Sequence, residues 1–167
     1  TIECPLAGEH QVENALAAAI TVDLLHVDTR GISQARWPAR LERVHRNPDI
    51  ILDGAHNPAG AAALASYIRR FYGSRPGWLF FGAMRDKAIA EMAATLFPLA
   101  DRVFATAPAN ARAMPAADIR AAGPERMELA GSVPDAVALA LAAPPETAVF
   151  FAGSLFLAGE ARALLRK

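Results

Sequence analysis

The organisation of this chain can be worked out from one segment, Ile50-Ile51-Leu52-Asp53-Gly54-Ala55-His56-Asn57-Pro58. The branched, uninterrupted apolar run at its start predicts a short buried strand. Asn57 and Pro58 predict the beginning of a helix, since asparagine caps free backbone N–H groups and proline fits the first helical position. Asp53 and His56 are therefore expected where a strand's carboxyl end meets a helix's amino end, which is the edge at which open α/β sheets bind ligands.

Strand and helix patterns alternate along the rest of the chain. We predict strands over 40–45, 50–52, 78–82, 102–106, 126–129 and 147–152, and helices over 11–25, 58–72, 86–97, 115–122, 134–142 and 156–165. The first two strands are expected to pair antiparallel, and the second helix to turn Leu64, Ile68 and Phe71 inward. The alternation predicts an α/β fold with a doubly wound, mostly parallel sheet of roughly six strands and helices on both faces.

The region before Pro38 has a different character. Its helix carries an apolar stripe of Val12, Leu16, Ile20 and Leu24 at near-helical spacing, so this face is expected to pack on something. Pro38 cannot continue a helix, which predicts a hinge in segment 37–42. We therefore expect residues 1–37 to be the helical tail of a preceding domain together with the hinge, and residues 38–167 to form a complete α/β domain.

Composition excludes several classes of protein. Lys+Arg and Asp+Glu balance at 17 each, so a basic surface for nucleic acid is not expected. No apolar run approaches the roughly 18 residues that span a membrane, and no amino-terminal export signal is visible. Cys4 is the only cysteine, which excludes an internal disulfide and a cysteine metal cluster. A cytoplasmic location is the expectation.

The standard catalytic and phosphate-binding motifs are missing from the sequence. There is no G-x-x-x-x-G-K-[ST] loop, no G-x-G-x-x-G after the first strand, no H-E-x-x-H and no G-x-S-x-G. The four histidines do not form a metal set by their spacing. We therefore expect no metal site in this chain, and a self-sufficient nucleotide hydrolase or dehydrogenase is not expected.

Five motifs occur in a fixed order: Gly-Glu-His-Gln-Val-Glu-Asn-Ala at 8–15, Trp-Pro-Ala-Arg-Leu-Glu at 37–42, Asp-Gly-Ala-His-Asn-Pro at 53–58, Gly-Ala-Met-Arg-Asp-Lys at 82–87 and Gly-Ser-Leu-Phe-Leu-Ala-Gly-Glu at 153–160. Together they resemble the carboxyl-terminal part of the folylpolyglutamate synthase family, which includes bifunctional dihydrofolate synthases and belongs to the Mur ligase superfamily. The resemblance covers nearly the whole chain. It implies a Rossmann-like carboxyl-terminal domain that follows the last helix of a central ATPase domain.

The resemblance also implies an activity for the longer parent protein. In the family, ATP phosphorylates a folate carboxylate, the amine of L-glutamate attacks the acyl phosphate, and ADP and phosphate leave. The acceptor would be dihydropteroate, the glutamate tail of reduced folates, or both. The phosphate loop and the Mg²⁺ ligands are expected outside this chain, which would carry no catalytic residue and be inactive alone. The parent is expected to be a monomer that lacks nucleic-acid and membrane partners.

Four residues are expected by resemblance to contact ATP. Asn14 would lie near the adenine, and Arg40 would reach the phosphates when the domains close. Asp53 and His56 would contact the ribose. For each there is a plainer interpretation: a polar residue on a helix surface, a strand arginine in water, a turn-forming Asp-Gly pair, and a loop histidine with a satisfied ring. This sequence also has Ala39 where the family usually has glycine, which predicts a stiffer hinge.

Three residues are expected by resemblance on the glutamate side. Lys87 would hold a carboxylate of the incoming glutamate, Ser154 would contact it at a helix amino end, and Arg112 would have a substrate or structural role. The plainer interpretations are a solvated lysine, a helix cap and a structural arginine. His10 and Gln11 are minor candidates, since such residues are more often simply the start of a helix.

Two other functions are considered. One is a ligase of the same superfamily that adds an amino acid to a nucleotide-linked peptidoglycan precursor. The pair Gly54-Ala55 favours the folate branch, because the peptidoglycan relatives usually carry tyrosine before Ala-His-Asn-Pro. The other is a non-catalytic α/β domain that binds a nucleotide, in which Asn14, Arg40 and Lys87 would have no joint purpose.

Overall fold

The computed structural model describes residues 2–85, 88–124 and 126–166. The helices are α1 (Glu9–Leu24), α2 (Pro58–Tyr72), α3 (Ile89–Leu96), α4 (Ala116–Ala122), α5 (Val133–Leu141) and α6 (Leu155–Leu165). The strands are β1 (Glu42–His45), β2 (Asp49–Leu52), β3 (Gly77–Phe81), β4 (Arg102–Ala107), β5 (Glu128–Ser132) and β6 (Ala148–Ala152). Short 3₁₀ helices cover Thr29–Gln34 and Phe97–Leu99.

The strands of the described ranges form one six-stranded sheet in the order β1-β2-β6-β3-β4-β5. β1 pairs antiparallel with β2, as predicted, and the remaining neighbours are parallel. The doubly wound, mostly parallel α/β fold is therefore confirmed. Because the strands from β2 onward are parallel, their carboxyl ends meet at one edge, and the loops that leave them lie side by side.

Two hydrophobic layers cover the two faces of the sheet. Residues of α2, α3 and α4 form the layer on one face, and residues of α5 and α6 form the layer on the other. On the α5–α6 side, Phe80 stacks between Phe104 and Phe151, with ring centroids 4.6 and 4.7 Å apart. Adjacent residues of a strand point to opposite faces of the sheet. Phe81, which follows Phe80, and Phe150, which precedes Phe151, therefore belong to the other layer. These phenylalanines are therefore core residues.

The inward face of α2 differs from the prediction at one position. Leu64 and Ile68 are buried, but Phe71 is 57% exposed, and Tyr72 is buried in its place. The positions three and four residues beyond Ile68 both lie near the inward face of a helix. Tyr72 is the one that meets the sheet, where its ring packs edge-on against Phe150 at 5.4 Å. The prediction for Phe71 was therefore wrong.

The apolar stripe of α1 is not covered by the described part of the chain. Val12, Leu16, Ile20 and Leu24 are between 54% and 74% exposed. The helix instead turns Gln11 and Ala19 inward. The helix itself is as predicted, but the packing of its stripe is not seen among residues 2–85, 88–124 and 126–166.

Some element boundaries also shift. β5 was predicted over 126–129 and is found at Glu128–Ser132, and α3 was predicted from Asp86 and is found from Ile89. Asp86 lies outside the described residues. Throughout the described ranges, every helix is too short or too polar to cross a membrane.

The stacked phenylalanine row should contribute strongly to stability. Replacing Phe80 with alanine removes a fully buried ring between two aromatic neighbours, and we expect a loss of about 3–5 kcal/mol in the free energy of unfolding. Urea denaturation followed by circular dichroism measures it. The matched control is Phe71→Ala, whose exposed ring should cost less than about 1 kcal/mol. Equal losses in the two variants would contradict this assignment of the core.

Candidate functional site

The loop between β2 and α2 forms as its sequence predicts. The Asn57 side-chain oxygen accepts a hydrogen bond from the Gly60 N–H at 2.8 Å, and Pro58 occupies the first turn of the helix. Both residues therefore serve the start of α2, where such caps satisfy backbone donors that the helix leaves free. The loop between Leu52 and Asn57 is thereby fixed at the carboxyl edge of the sheet.

A crevice lies at this edge. β2 and β6 are neighbours in the sheet, but α2 and α6, which follow them, pack on opposite faces. The two loops are tied together where the Gly153 N–H donates to the Ala55 carbonyl at 2.8 Å. This is the topological position at which open α/β sheets bind ligands.

A cleft of about 410 Å³ opens between this loop, the start of α2, segment 37–42 and the amino end of α1. The sequence-predicted ATP residues Asn14, Arg40, Asp53 and His56 all line it. They come from segments far apart in the chain, and the fold brings them together. Ala59, Ala63 and Leu64 add an apolar wall. The volume falls within the usual range for small-ligand sites, roughly 300–1,000 Å³.

Asp53 is buried, with 7% of its surface exposed. Its Oδ2 accepts from the Leu41 N–H and its Oδ1 accepts from the Ala55 N–H, both at 2.9 Å. Burial raises the pKa of Asp53, and the two backbone hydrogen bonds and the charge of Arg40 oppose the rise. The carboxylate thus holds the backbone around the cleft in place and also lines the cleft. A ligand can donate to the lone pairs that the backbone leaves free.

Arg40 lies in an unusual turn. The residues on either side, Ala39 and Leu41, have φ angles of 56° and 49°, in the left-handed region that favours glycine. The left-handed φ at position 39 suits the glycine that the resemblance leads one to expect, and Ala39 adopts it against the preference of a residue with a side chain. The Ala39 carbonyl accepts from the Gly54 N–H at 2.8 Å, which joins the turn to the β2–α2 loop. The Arg40 guanidinium lies 5.9 Å from the centre of the Trp37 ring.

His56 is half-buried and has one ring nitrogen available for a ligand. Its Nδ1 lies 2.8 Å from the Gly54 carbonyl oxygen. Because that oxygen can only accept, Nδ1 must carry the proton, and in the neutral ring Nε2 is left as an acceptor. The predicted loop histidine is thus oriented by its own loop and still presents a hydrogen-bonding atom in the cleft.

On the α1 side of the cleft, three neighbouring side chains are linked by polar contacts. The buried Gln11 accepts from the Asn14 Nδ2 at 3.2 Å, and its own amide nitrogen lies 3.1 Å from His10 Nε2. His10 and Gln11 were minor candidates in the sequence, and both line the cleft. Asn14 is exposed, so its side chain can turn from Gln11 towards a ligand.

Of the predicted glutamate-side residues, the two that the structure describes, Ser154 and Arg112, do not line this cleft. Ser154 is buried, and its Oγ caps α6 by accepting from the Phe156 N–H at 3.1 Å. Arg112 is exposed in the β4–α4 loop, and its carbonyl accepts from the Arg85 N–H at 3.1 Å. Lys87 lies outside the described residues. The two described residues share the carboxyl edge with the cleft but occupy other loops.

Two residues of this region received no role from the sequence. Trp37 lines the cleft with 60% of its surface exposed, and its place at the start of the Trp-Pro-Ala-Arg-Leu-Glu motif was the signal that could have marked it. Glu42 accepts from the Ala39 N–H at 2.9 Å. Its position two residues after Arg40 in the Trp-Pro-Ala-Arg-Leu-Glu motif gave no indication of this contact.

The cleft combines a cation, a carboxylate, an imidazole, amides and an apolar wall. Such a set can hold a molecule that has a flat apolar part, hydroxyl groups and negative charge. Within the described ranges there is no group of three His, Cys, Asp or Glu side chains that could hold a metal ion.

Comparison with known proteins gives consistent findings. Residues 39–155 match the family described as Mur ligase, glutamate ligase domain. A probable bifunctional folylpolyglutamate synthase/dihydropteroate synthase of Halobacterium salinarum is 41% identical over 96% of this chain and 21% of its own length. The folylpolyglutamate synthase of Lacticaseibacillus casei is 31% identical over 98% of this chain and 40% of its own.

A solved structure shows the same fold. The folylpolyglutamate synthase of Mycobacterium tuberculosis, complexed with ADP, superposes with a TM-score of 0.88 at 30% identity. The match covers 99% of this chain and 42% of that protein. The chain thus spans about two fifths or less of the length of these relatives.

The close contact at Gly54 yields a test of the cleft geometry. A Cβ at this position would lie 2.2 Å from Leu155 Cδ2 and 2.9 Å from Arg40 Nη1, so both side chains would have to move. We expect Gly54→Ala to lower the free energy of unfolding by about 1–3 kcal/mol, measured by urea denaturation.

The matched control is Gly159→Ala in α6, where a Cβ would meet nothing within 4 Å. Alanine is the better helix former, so this variant should keep or raise the stability by up to about 1 kcal/mol. If the two variants are equally stable, the packing described at Gly54 is wrong.

Proposed function

Since the chain belongs to the Mur ligase family, whose glutamate ligase domain it carries, we propose that it is part of an ATP-dependent ligase that adds L-glutamate to a folate. The acceptor would be dihydropteroate, the glutamate tail of reduced folates, or both. The observation that carries the proposal is the cleft in which Asn14, Arg40, Asp53 and His56 meet. The names of the relatives, and the ADP in the mycobacterial structure, support the same reaction class.

In this proposal the cleft holds the nucleotide. Arg40 would pair with phosphate oxygens, because a guanidinium makes charge-assisted hydrogen bonds to them. The free Nε2 of His56 and the remaining lone pairs of Asp53 would accept from the ribose hydroxyls. Asn14 can both donate and accept, as contact with the edge of an adenine requires.

The glutamate side would use the neighbouring loops of the same edge. Ser154 is the residue that caps the start of α6, and the free N–H groups of a helix start favour a carboxylate. Its buried hydroxyl already caps the helix, so it would act mainly by fixing this amino end. Lys87 and Arg112 would supply positive charge for the glutamate carboxylates. The sequence, rather than the described geometry, supports the role of Lys87.

The chain's part in the chemistry would be to bind, to orient and to exclude water. An acyl phosphate is readily hydrolysed, so a domain that closes over it protects the intermediate until the amine attacks. The apolar stripe of α1 and the hinge support a preceding ATPase domain, with residues 1–37 as its tail and residues 38–167 as the glutamate-presenting domain. The Mg²⁺ ligands and the phosphate loop would lie in the rest of the parent, which we expect to be a cytoplasmic monomer.

The first test uses the full-length protein that contains this chain. ADP release is followed with L-glutamate and either dihydropteroate or a reduced folate, for the unaltered protein and for His56→Ala. We expect release that requires both glutamate and the folate, and a KM for ATP raised about tenfold in the variant, as expected for one lost hydrogen bond.

The matched control for this test is His45→Ala. His45 also places Nδ1 on a carbonyl, that of Pro48 at 2.9 Å, but it lies in β1 and does not line the cleft. Its KM for ATP should stay unchanged. Turnover only with a nucleotide-linked peptidoglycan precursor would assign the protein to the other ligase branch, and no turnover with any acceptor would overturn the ligase proposal.

The 167-residue chain alone should not catalyse the reaction. It lacks a Gly-Lys phosphate loop, so it has no glycine-rich backbone cradle for the transferred phosphate. We expect no ATP- and glutamate-dependent ADP release from the purified chain in the same assay. Measurable release, after removal of contaminating ATPase by a second purification step, would contradict the proposed division of labour.

A further inference from the structure

The turn that carries Arg40 needs support from outside itself. Ala39 and Leu41 both adopt positive φ angles, which for residues with a side chain are unfavourable and persist only where neighbouring contacts hold them. Arg40 projects from between these two residues. Its direction therefore depends on whatever fixes the backbone on either side.

Two carboxylates fix it, one on each side. The N–H of Leu41 donates to Asp53 Oδ2 at 2.9 Å, and the N–H of Ala39 donates to Glu42 Oε2 at 2.9 Å. Asp53 belongs to the cleft already described. Glu42 does not line that cleft, so its role must be exerted through the turn.

Glu42 is in turn held by α6. Arg162 Nε donates to both carboxylate oxygens, at 3.1 and 2.9 Å, and Arg166 Nη2 lies 2.9 Å from Oε1. The Glu42 side chain is only 14% exposed, against 31% and 52% for the two arginines. A carboxylate bonded in this way is held in one orientation, and it fixes the position of the Ala39 N–H.

The protonation state of Glu42 suits this task. Burial acts to raise the pKa of its carboxyl, but the hydrogen bonds from Ala39 and Arg162 and the charges of Arg162 and Arg166 outweigh burial and leave the pKa below its ordinary value. Glu42 is thus ionised at neutral pH, as three donors require.

The same helix contacts the β2–α2 loop at its other end. The side chain of Leu155, the first residue of α6, lies where a Cβ on Gly54 would be placed. Gly54 donates its N–H to the Ala39 carbonyl. The turn is therefore bounded by α6 twice, through Glu42 at the last turns of the helix and through Leu155 at its start.

We propose that Glu42 is a positioning residue, whose carboxylate anchors the Arg40 turn to Arg162 of α6 and to Arg166 at the end of that helix, and so sets the direction in which Arg40 meets the nucleotide. This inference rests on the proposed function, because it takes Arg40 as a contact of the ATP phosphates. Glu42 touches no reacting atom in this scheme.

The test measures the KM for ATP of the full-length protein with Glu42→Gln, in two backgrounds. The glutamine keeps the size of the side chain but lacks the charge and presents an amide N–H₂ to the arginines. We expect the KM for ATP to rise about tenfold, within the range of typical couplings between sites. In an Arg40→Ala background the same change should have no further effect on this KM.

Two further variants guard against a general loss of structure. Arg162→Gln breaks the anchor from the α6 side and should reproduce the rise. Glu128→Gln removes another bidentate carboxylate–arginine pair, with Arg102 at 2.8 and 2.6 Å on the far side of the sheet, and should leave the KM for ATP unchanged.

The outcomes separate the proposals. An unchanged KM in Glu42→Gln, or an equal rise with and without Arg40, would overturn the positioning role. If Arg40→Ala alone leaves the KM unchanged, the assigned role of Arg40 fails and the positioning role fails with it. If the unaltered protein turns over no folate, the proposed function fails, and the same four variants then test the anchor by equilibrium binding of ATP.

Discussion

The buried carboxylate of Asp53 is the interaction on which the edge of this domain depends. It receives one backbone N–H from the hinge turn, at Leu41, and one from its own loop, at Ala55. Taking a carboxylate out of water is unfavourable unless donors surround it, and here the main chain supplies them. The same group therefore closes the β2–α2 loop and attaches the hinge to it, so that two segments 12 residues apart act as one surface.

Glycines allow these loops to approach so closely. A Cβ at Gly82 would lie 2.7 Å from the Thr106 carbonyl oxygen, and one at Gly153 would lie 2.7 Å from the Gly82 carbonyl oxygen. Gly153 also has a φ of 106°, which a side chain would strain. The carboxyl edge is thus built mainly from main-chain contacts, while side chains such as His56 and Arg40 stay available at its surface.

The sequence predicted what depends on local signals. The apolar run Ile50–Leu52, the Asn57 cap and the alternation of strands and helices were enough for the fold class, and the positions of Asp53 and His56 followed from them. The sequence could not distinguish Phe71 from Tyr72 as the inward residue, since both suit the helical period and only Phe150 on the sheet decides between them. Nor could it find the role of Glu42, whose partner Arg162 lies 120 residues away. The left-handed turn around Arg40 is likewise a product of tertiary contacts rather than of its own residue preferences.

The exposed stripe of α1 has a mechanical consequence for the cleft. One wall, with Asn14, belongs to α1, whose buried residues are Gln11 and Ala19, and the other wall, with Asp53 and His56, belongs to the loop between β2 and α2. A ligand that contacts both walls binds most tightly at one distance between them. Its binding therefore favours that distance over others. By reciprocity, anything that pulls α1 by its stripe alters the affinity of the cleft, and the cleft when filled resists the pull. The position of α1 and the occupancy of the cleft by a ligand are therefore coupled, and a change in one changes the other.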